Sequence, residues 1–262
     1  MATCGIAAQE PVKATTSESL TVPQWSVPHT QVKPKITADP ADPAWQEVPG
    51  KTFTLSLLPD DPATTALPTV ARLLWDEQFL YVRFESQGGD LFSPHTGRDK
   101  PHYEGDVVEL FLDVVGDSRQ YYEIEVTPAN QILDACHTLT ADPVSGAMGR
   151  LLNSVAERDF WSDMGWECSG LRTAARPAPG GWIADMAIPA EAVCRRLGRK
   201  SFQADQMLRA NLLRYDRLLK PGSDRRMFIA MNWAPVLNGC PHISPKAMGT
   251  LQLQPASAPR VP

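Results

Sequence analysis

Val107-Val108-Glu109-Leu110-Phe111-Leu112-Asp113 and Gln120-Tyr121-Tyr122-Glu123-Ile124-Glu125-Val126-Thr127 flank the turn residues Gly116-Asp117-Ser118. On the first stretch Val108, Leu110 and Leu112 are apolar at every second position, and on the second Tyr122, Ile124 and Val126 are. A period of two marks a strand with one face on a core, and Gly, Asp and Ser are turn formers, so the segment reads as a β-hairpin. Both apolar sets reach the same core only across a loop with an odd number of residues. A three-residue loop opposes Leu110 to Ile124, Leu112 to Tyr122 and, on the other face, Glu109 to Glu125. Like charges directly across a ladder are destabilising. This pair therefore calls for an arginine, a cation, or a polar ligand whose hydroxyls donate to both carboxylates.

Working outward, 71–75 and 80–85 alternate around Asp76-Glu77-Gln78 and form a second hairpin signal. With Leu73, Trp75, Leu80, Val82 and Phe84 in the core, Arg72 and Arg83 project from the opposite face. If the hairpins are neighbours, these arginines share a surface with the carboxylates and Tyr121. Further strands are expected over 51–57, 171–175, 182–188, 208–216, 226–233 and 250–253. Pro189 sits where a helix begins and leads into a short helix over 190–197. Many short strands with one or two short helices imply an all-β fold, an antiparallel β-sandwich of jelly-roll or immunoglobulin-like kind.

Composition agrees. There are 24 prolines in 262 residues, roughly 9% against a usual ~5%, which argues against long helices. Hydrophobic residues make up 43%, enough for a sizeable core. Residues 1–31 are polar and without period and read as a flexible N-terminal tail; 32–254 form one sandwich domain, and 255–262 a C-terminal tail. A net charge of -5 disfavours binding to nucleic acid or an anionic membrane surface, and no apolar run is long enough for a transmembrane helix. A sugar or another neutral small molecule fits better. Residues 1–20 lack the basic flank and apolar segment of a secretory signal, so the expected location is extracellular or periplasmic if a signal was removed, and otherwise cytoplasmic. The five cysteines form no CxxC pair or zinc-ligand spacing. No GxSxG, HExxH, phosphate-loop or dinucleotide fingerprint is present.

An ordered series of segments carries a resemblance. It comprises Asp39-Pro-Ala-Asp42-Pro-Ala-Trp45, Leu73 to Val82, Gly105 to Asp113, Tyr121 to Val126, Gly181 to Pro189, Leu208-Arg209-Ala210-Asn211, and His242 to Pro245 before Gly249-Thr250-Leu251. Over nearly all of 37–253 the chain resembles the family 9 carbohydrate-binding module, which is related to DOMON-type sandwiches. The resemblance implies a non-catalytic sandwich that grips the end of a sugar chain between two aromatic rings, often with structural calcium and no organic cofactor, and that works alongside glycoside hydrolases. Carried over by position, one gripping ring falls near Tyr103 and the acidic sugar contact on Glu109. Contacts from the next strand fall on Glu123 and Glu125, where sugar-binding members have an arginine and an asparagine. The second ring belongs in the loop after Trp233, where the one aromatic ring over 234–247 is the imidazole of His242. Asn211 is a further polar contact, Arg214 joins it if a bulge intervenes, and Trp233 is a candidate floor, with Trp161 and Trp166 exposed nearby. For calcium, Asp39 and Asp42, or Asp117 and Asp134, offer hard oxygen ligands.

Two other functions follow from the same residues. Glu109 and Glu125, if opposed, stand roughly ~5–5.5 Å apart, as in a retaining glycosidase. Related sandwiches bind haem through an axial Met with His or Lys, which makes Met231 and His242 a candidate pair.

Overall fold

The computed structural model describes residues 21–53, 55–56, 68–88, 90–139, 160–219, 222–236 and 240–256. In chain order the strands are β1 (Gln24–Val27), β2 (Lys51–Thr52), β3 (Leu55–Ser56), β4 (Thr69–Trp75), β5 (Phe79–Gln87), β6 (Val107–Asp113) and β7 (Gln120–Val126). There follow β8 (Ile132–Leu139), β9 (Phe160–Asp163), β10 (Arg172–Ala178), β11 (Gly181–Pro189), β12 (Met207–Leu219), β13 (Arg226–Asn232) and β14 (Gly249–Leu253). One sheet runs β1-β14-β12-β6-β7-β8-β9, with β13 pairing β12 and β3 beside it; the other runs β10-β11-β5-β4-β2. Apart from the parallel pair β1 and β14, every strand pair is antiparallel among the described residues. The fold is the all-β sandwich expected.

The β6–β7 register is the one that loop parity requires: Leu110 opposes Ile124, Leu112 opposes Tyr122, and Glu109 opposes Glu125. The turn is held by the buried Asp113, whose carboxylate accepts from the backbone N–H groups of Val115, Gly116 and Ser118 at 2.7–3.0 Å. Gly116 and Ser118 both have positive φ there, 77° and 57°, which is why the turn uses residues tolerant of that region. Val108, Leu110, Leu112, Tyr122, Ile124 and Val126 meet Leu73, Trp75, Leu80, Val82, Phe84 and Trp182 in the core between the sheets. The short helix spans Ala190–Val193 with Pro189 before it, and a 3₁₀ turn at Arg195–Leu197 completes the expected segment.

Three expectations change. The tail ends earlier than residue 31: Gln24–Val27 is a strand paired with Thr250 to Leu253, and Trp25 and Val27 are buried in the core. Residues 1–20 of the expected tail, and 257–262 of the C-terminal one, lie outside the described residues. The two hairpins are not neighbours, since β4–β5 belongs to the second sheet. Arg83 there pairs with Asp185, and Arg72 with Glu85, so neither arginine compensates the glutamates of β6 and β7. Trp233 is no site floor: it is 7% exposed, packed in the core against Trp25 with ring centroids 5.5 Å apart.

The Trp233 ring also closes over Gly249, where a Cβ would stand 2.5 Å from two ring carbons and 2.8 Å from the Pro23 carbonyl oxygen. Gly249→Ala is expected to cost about 1–3 kcal/mol, the usual penalty of overpacking a filled core, measured by urea unfolding.

Candidate functional site

The outer face of the larger sheet carries the polar cluster. Alternation on β6 and β7 sends Glu109, Phe111, Tyr121, Glu123 and Glu125 to that face. On β8 the register brings His137 opposite Tyr121 and Leu133 opposite Glu125. On β12 it brings Leu213 opposite Glu109 and Asn211 opposite Phe111. His242 arrives from the 3₁₀ turn Pro241–Ile243. Glu109, Glu123, Glu125 and His137 are all buried, Glu109 and Glu125 to 1% exposure.

Their chemistry falls into two overlapping groups. One oxygen from each of Glu109, Glu123 and Glu125 lies within 4.8 Å of the others, and the same limit encloses donor atoms of Glu123, His137 and His242. Glu123 belongs to both. Its Oε2 stands 2.6 Å from Nε2 of His137, whose Nδ1 is 2.9 Å from the Ser162 hydroxyl. Tyr121 donates its hydroxyl to the His242 carbonyl at 3.0 Å, with Nδ1 of that ring 3.2 Å away. Phe111 stacks on Tyr121, and Tyr121 stacks on His137, with centroids 5.3 Å and 5.0 Å apart. By contrast, both oxygens of Glu109 and one of Glu125 have no hydrogen-bond partner among the described residues.

The electrostatics follow from this packing. Burial first, and then the nearby Glu123, raise the Glu109 carboxyl well above its usual range. Burial, Glu109 and Glu123 do the same to Glu125. Burial also works against ionised Glu123, but His242 and His137 outweigh it and hold that carboxyl below its usual range. Burial brings His242 down to about 4, with Glu123 opposing.

Tyr103, in the 3₁₀ turn His102–Glu104, is partly exposed at the edge of this cluster. Its phenol is raised by burial and then by the charges of Glu104, Glu125 and Glu123. Arg217 donates to the Tyr103 carbonyl at 2.9 Å and lies 4.3 Å over the Phe228 ring. Tyr215 packs edge-on to Phe228 at 5.1 Å and is raised by burial and then by Glu109, Glu123 and Glu125. Tyr103, Tyr215, Arg217 and Phe228 thus form an aromatic and basic rim beside the buried acids.

Of the expected site residues, the structure brings together Tyr103, Glu109, Glu123, Glu125 and His242. Asn211 shares their face, but its amide is spent: it donates to the Ala234 carbonyl at 3.1 Å and accepts from the Ala234 N–H at 2.9 Å. Arg214 is on the opposite face. No bulge interrupts β12, which pairs Arg214 with Val108, so its guanidinium reaches between the sheets to the Thr69 hydroxyl at 3.1 Å and to Asp216. Trp166 stacks on the core residue Tyr122 at 4.5 Å. Trp161 is exposed but pairs with Thr138, one position off from the His137 and Ser162 that face the cluster. Met231 lies in the core between the sheets while His242 lies on the outer face, so they do not make an axial pair. Asp42 accepts from the Ala44 and Lys35 N–H groups, and Asp39 from Ala41 and Arg176. These carboxylates hold local turns, and Asp39 also pairs with Arg176.

Sequence reasoning missed His137, Tyr215, Arg217 and Phe228. Leu133, Ala135 and His137 alternate on β8, and extending the hairpin by one strand in register would have found that histidine.

Comparison with known proteins places this geometry in a family. The chain is similar in fold to a family 9 carbohydrate-binding module from Caldicellulosiruptor kristjanssonii solved in complex with cellotriose. The identity is 17%, the TM-score 0.58, and 92% of this chain and 98% of that one are covered. The same organism's family 9 module solved in complex with glucose matches at 17% identity and a TM-score of 0.59, over 91% of this chain and 99% of that one. A family model described as "Carbohydrate family 9 binding domain-like" matches residues 38–255. The chain belongs to this carbohydrate family 9 binding domain-like family.

Proposed function

We propose that this chain is a non-catalytic carbohydrate-binding domain that receives a saccharide, a chain end or short oligosaccharide, at the rim of the acidic cluster. Family membership over 38–255, with relatives of the same fold solved holding glucose and cellotriose, is the observation that carries the reading. The local chemistry supports it. A partly exposed tyrosine ring suits the C–H face of a sugar, while Arg217 can donate to its hydroxyls. The grip differs from two opposed rings, because Trp233 is in the core and His242 is held by Tyr121. Hydrolysis by Glu109 and Glu125 is disfavoured, since both carboxyl groups are buried at 1% exposure, where a polymer does not reach. Such a domain would serve beside glycoside hydrolases.

Calorimetry against glucose, cello-oligosaccharides and other neutral sugars tests this. Tyr103→Ala is expected to weaken binding by about 1 kcal/mol, roughly fivefold, through lost ring stacking. Unchanged affinity in that variant would remove the rim as the site, and no binding across a glycan array would remove the function.

A further inference from the structure

The buried acids under the rim are not explained by sugar binding, because they are covered rather than presented. Three carboxyl groups converge within 4.8 Å, on a face lined by Phe111, Tyr121, Leu213 and Met248. Burying charge in apolar surroundings is costly unless it is paired or coordinates a metal. The arginines that might have paired are engaged otherwise: Arg72 and Arg83 on the other sheet with their own acids, Arg214 between the sheets with Asp216, and Arg217 on the Tyr103 carbonyl and the Phe228 ring. Glu109 is the decisive residue. It is 1% exposed, one of its oxygens points into the cluster, and neither oxygen has a hydrogen-bond partner among the described residues.

The second donor set narrows what would satisfy them. Oxygens and nitrogens bound at ~2.0–2.2 Å to one ion stand roughly 3–4.3 Å from one another, close to the span that already encloses Glu123, His137 and His242. Two imidazoles with carboxylates suit zinc, manganese or iron, whereas Ca²⁺ takes oxygen ligands. The surrounding groups are those that orient ligating histidines. Ser162 meets Nδ1 of His137 at 2.9 Å, leaving Nε2 turned to Glu123, and Tyr121 holds the His242 segment by its carbonyl.

We propose that Glu123, His137 and His242, with Glu109 and Glu125 supplying further carboxylate oxygens, form a binding site for a divalent first-row transition-metal ion. Glu123 is the shared ligand, belonging to the histidine-containing set and to the three-carboxylate set alike. The proposal does not rest on sugar binding.

The experiment uses the full chain, stripped with a chelator and dialysed. It is titrated with Zn²⁺ and Mn²⁺ by calorimetry and with Co²⁺ by visible absorption, Ca²⁺ serving as control. The expected result is uptake of at least one equivalent of transition metal, a rise in melting temperature, and Co²⁺ bands of a nitrogen- and oxygen-ligated ion. Glu109→Met and His242→Gln are each expected to weaken uptake by at least about tenfold. Glu109→Met substitutes an apolar side chain of similar length in apolar surroundings, so its folding, checked by circular dichroism, separates lost ligation from lost structure. No uptake, uptake of Ca²⁺ alone, or affinity unchanged in both variants overturns the proposal. A chain that binds sugar without metal refutes this inference and leaves the carbohydrate reading standing; metal without sugar does the reverse.

Discussion

Arg83→Ala is expected to lower folding stability by about 3–5 kcal/mol, the cost of leaving one charge of a buried pair alone. The guanidinium meets Asp185 through two bonds, Nε to Oδ1 at 2.7 Å and a terminal nitrogen to Oδ2 at 2.9 Å, with both side chains at most 1% exposed. Asp185 also accepts from the Ala38 N–H at 2.8 Å, and Trp45 lies over the guanidinium at 5.1 Å. The pair therefore anchors the segment that crosses the outer face of the smaller sheet. Removing Arg83 strands a carboxylate there and frees Trp45 from its cation. Replacing both charges, as in Arg83→Met with Asp185→Leu, is expected to recover most of the loss, because exchanging a buried pair for apolar residues is often neutral. Urea unfolding of the three variants measures this. A loss below about 1 kcal/mol in Arg83→Ala, the scale of exposed pairs, would show that the pair contributes no more than a surface contact.

Glu109→Met is expected to move the other way, raising the stability of chelator-treated protein by about 1–3 kcal/mol, the cost of a buried polar group left without a hydrogen-bond partner. Glu109 lies opposite Glu125 on one side and Leu213 on the other. Methionine has a similar length and adapts to irregular gaps. The variant removes two buried oxygens that have no hydrogen-bond partner among the described residues and sets an apolar side chain opposite Glu125. Thermal and urea unfolding in chelator check the sign. A destabilisation instead would mean that the carboxyl group is satisfied in the folded protein, and the cluster would then be structural. The opposite signs for Arg83 and Glu109 separate charge retained for the fold from charge retained despite it.

The sandwich was legible because its central hairpin is. Alternation over Val108 to Leu112 and Tyr122 to Val126, joined by a loop of fixed parity, leaves one register, and that register places Glu109 against Glu125. The partners of those glutamates were harder to find. The inward side of β8 carries Asp134, Cys136 and Thr138, so its apolar period is broken and His137 did not stand out. Arg214 belongs to the site only if a bulge shifts it onto the face of Asn211; β12 runs without one, and Asp216 and Thr69 make the inward arginine tolerable. Arg72 and Arg83 were correctly assigned to an outer face, but the hairpin pattern does not reveal which sheet a hairpin joins. Trp25 sits in a four-residue strand within a polar stretch, too short for a period to declare itself.

That first strand has a consequence for where the domain is cut. The family match begins at residue 38, yet Gln24–Val27 lies along β14, with Trp25 beside Leu251 and Val27 beside Leu253. A fragment trimmed to the match would leave the outer side of β14 as a bare sheet edge, its amides and carbonyls unpaired. It would also uncover the flank of Trp233. Bare edges recruit strands from other molecules, so the trimmed fragment would be prone to self-association. The N-terminal strand is thus a built-in guard against aggregation as well as a part of the fold.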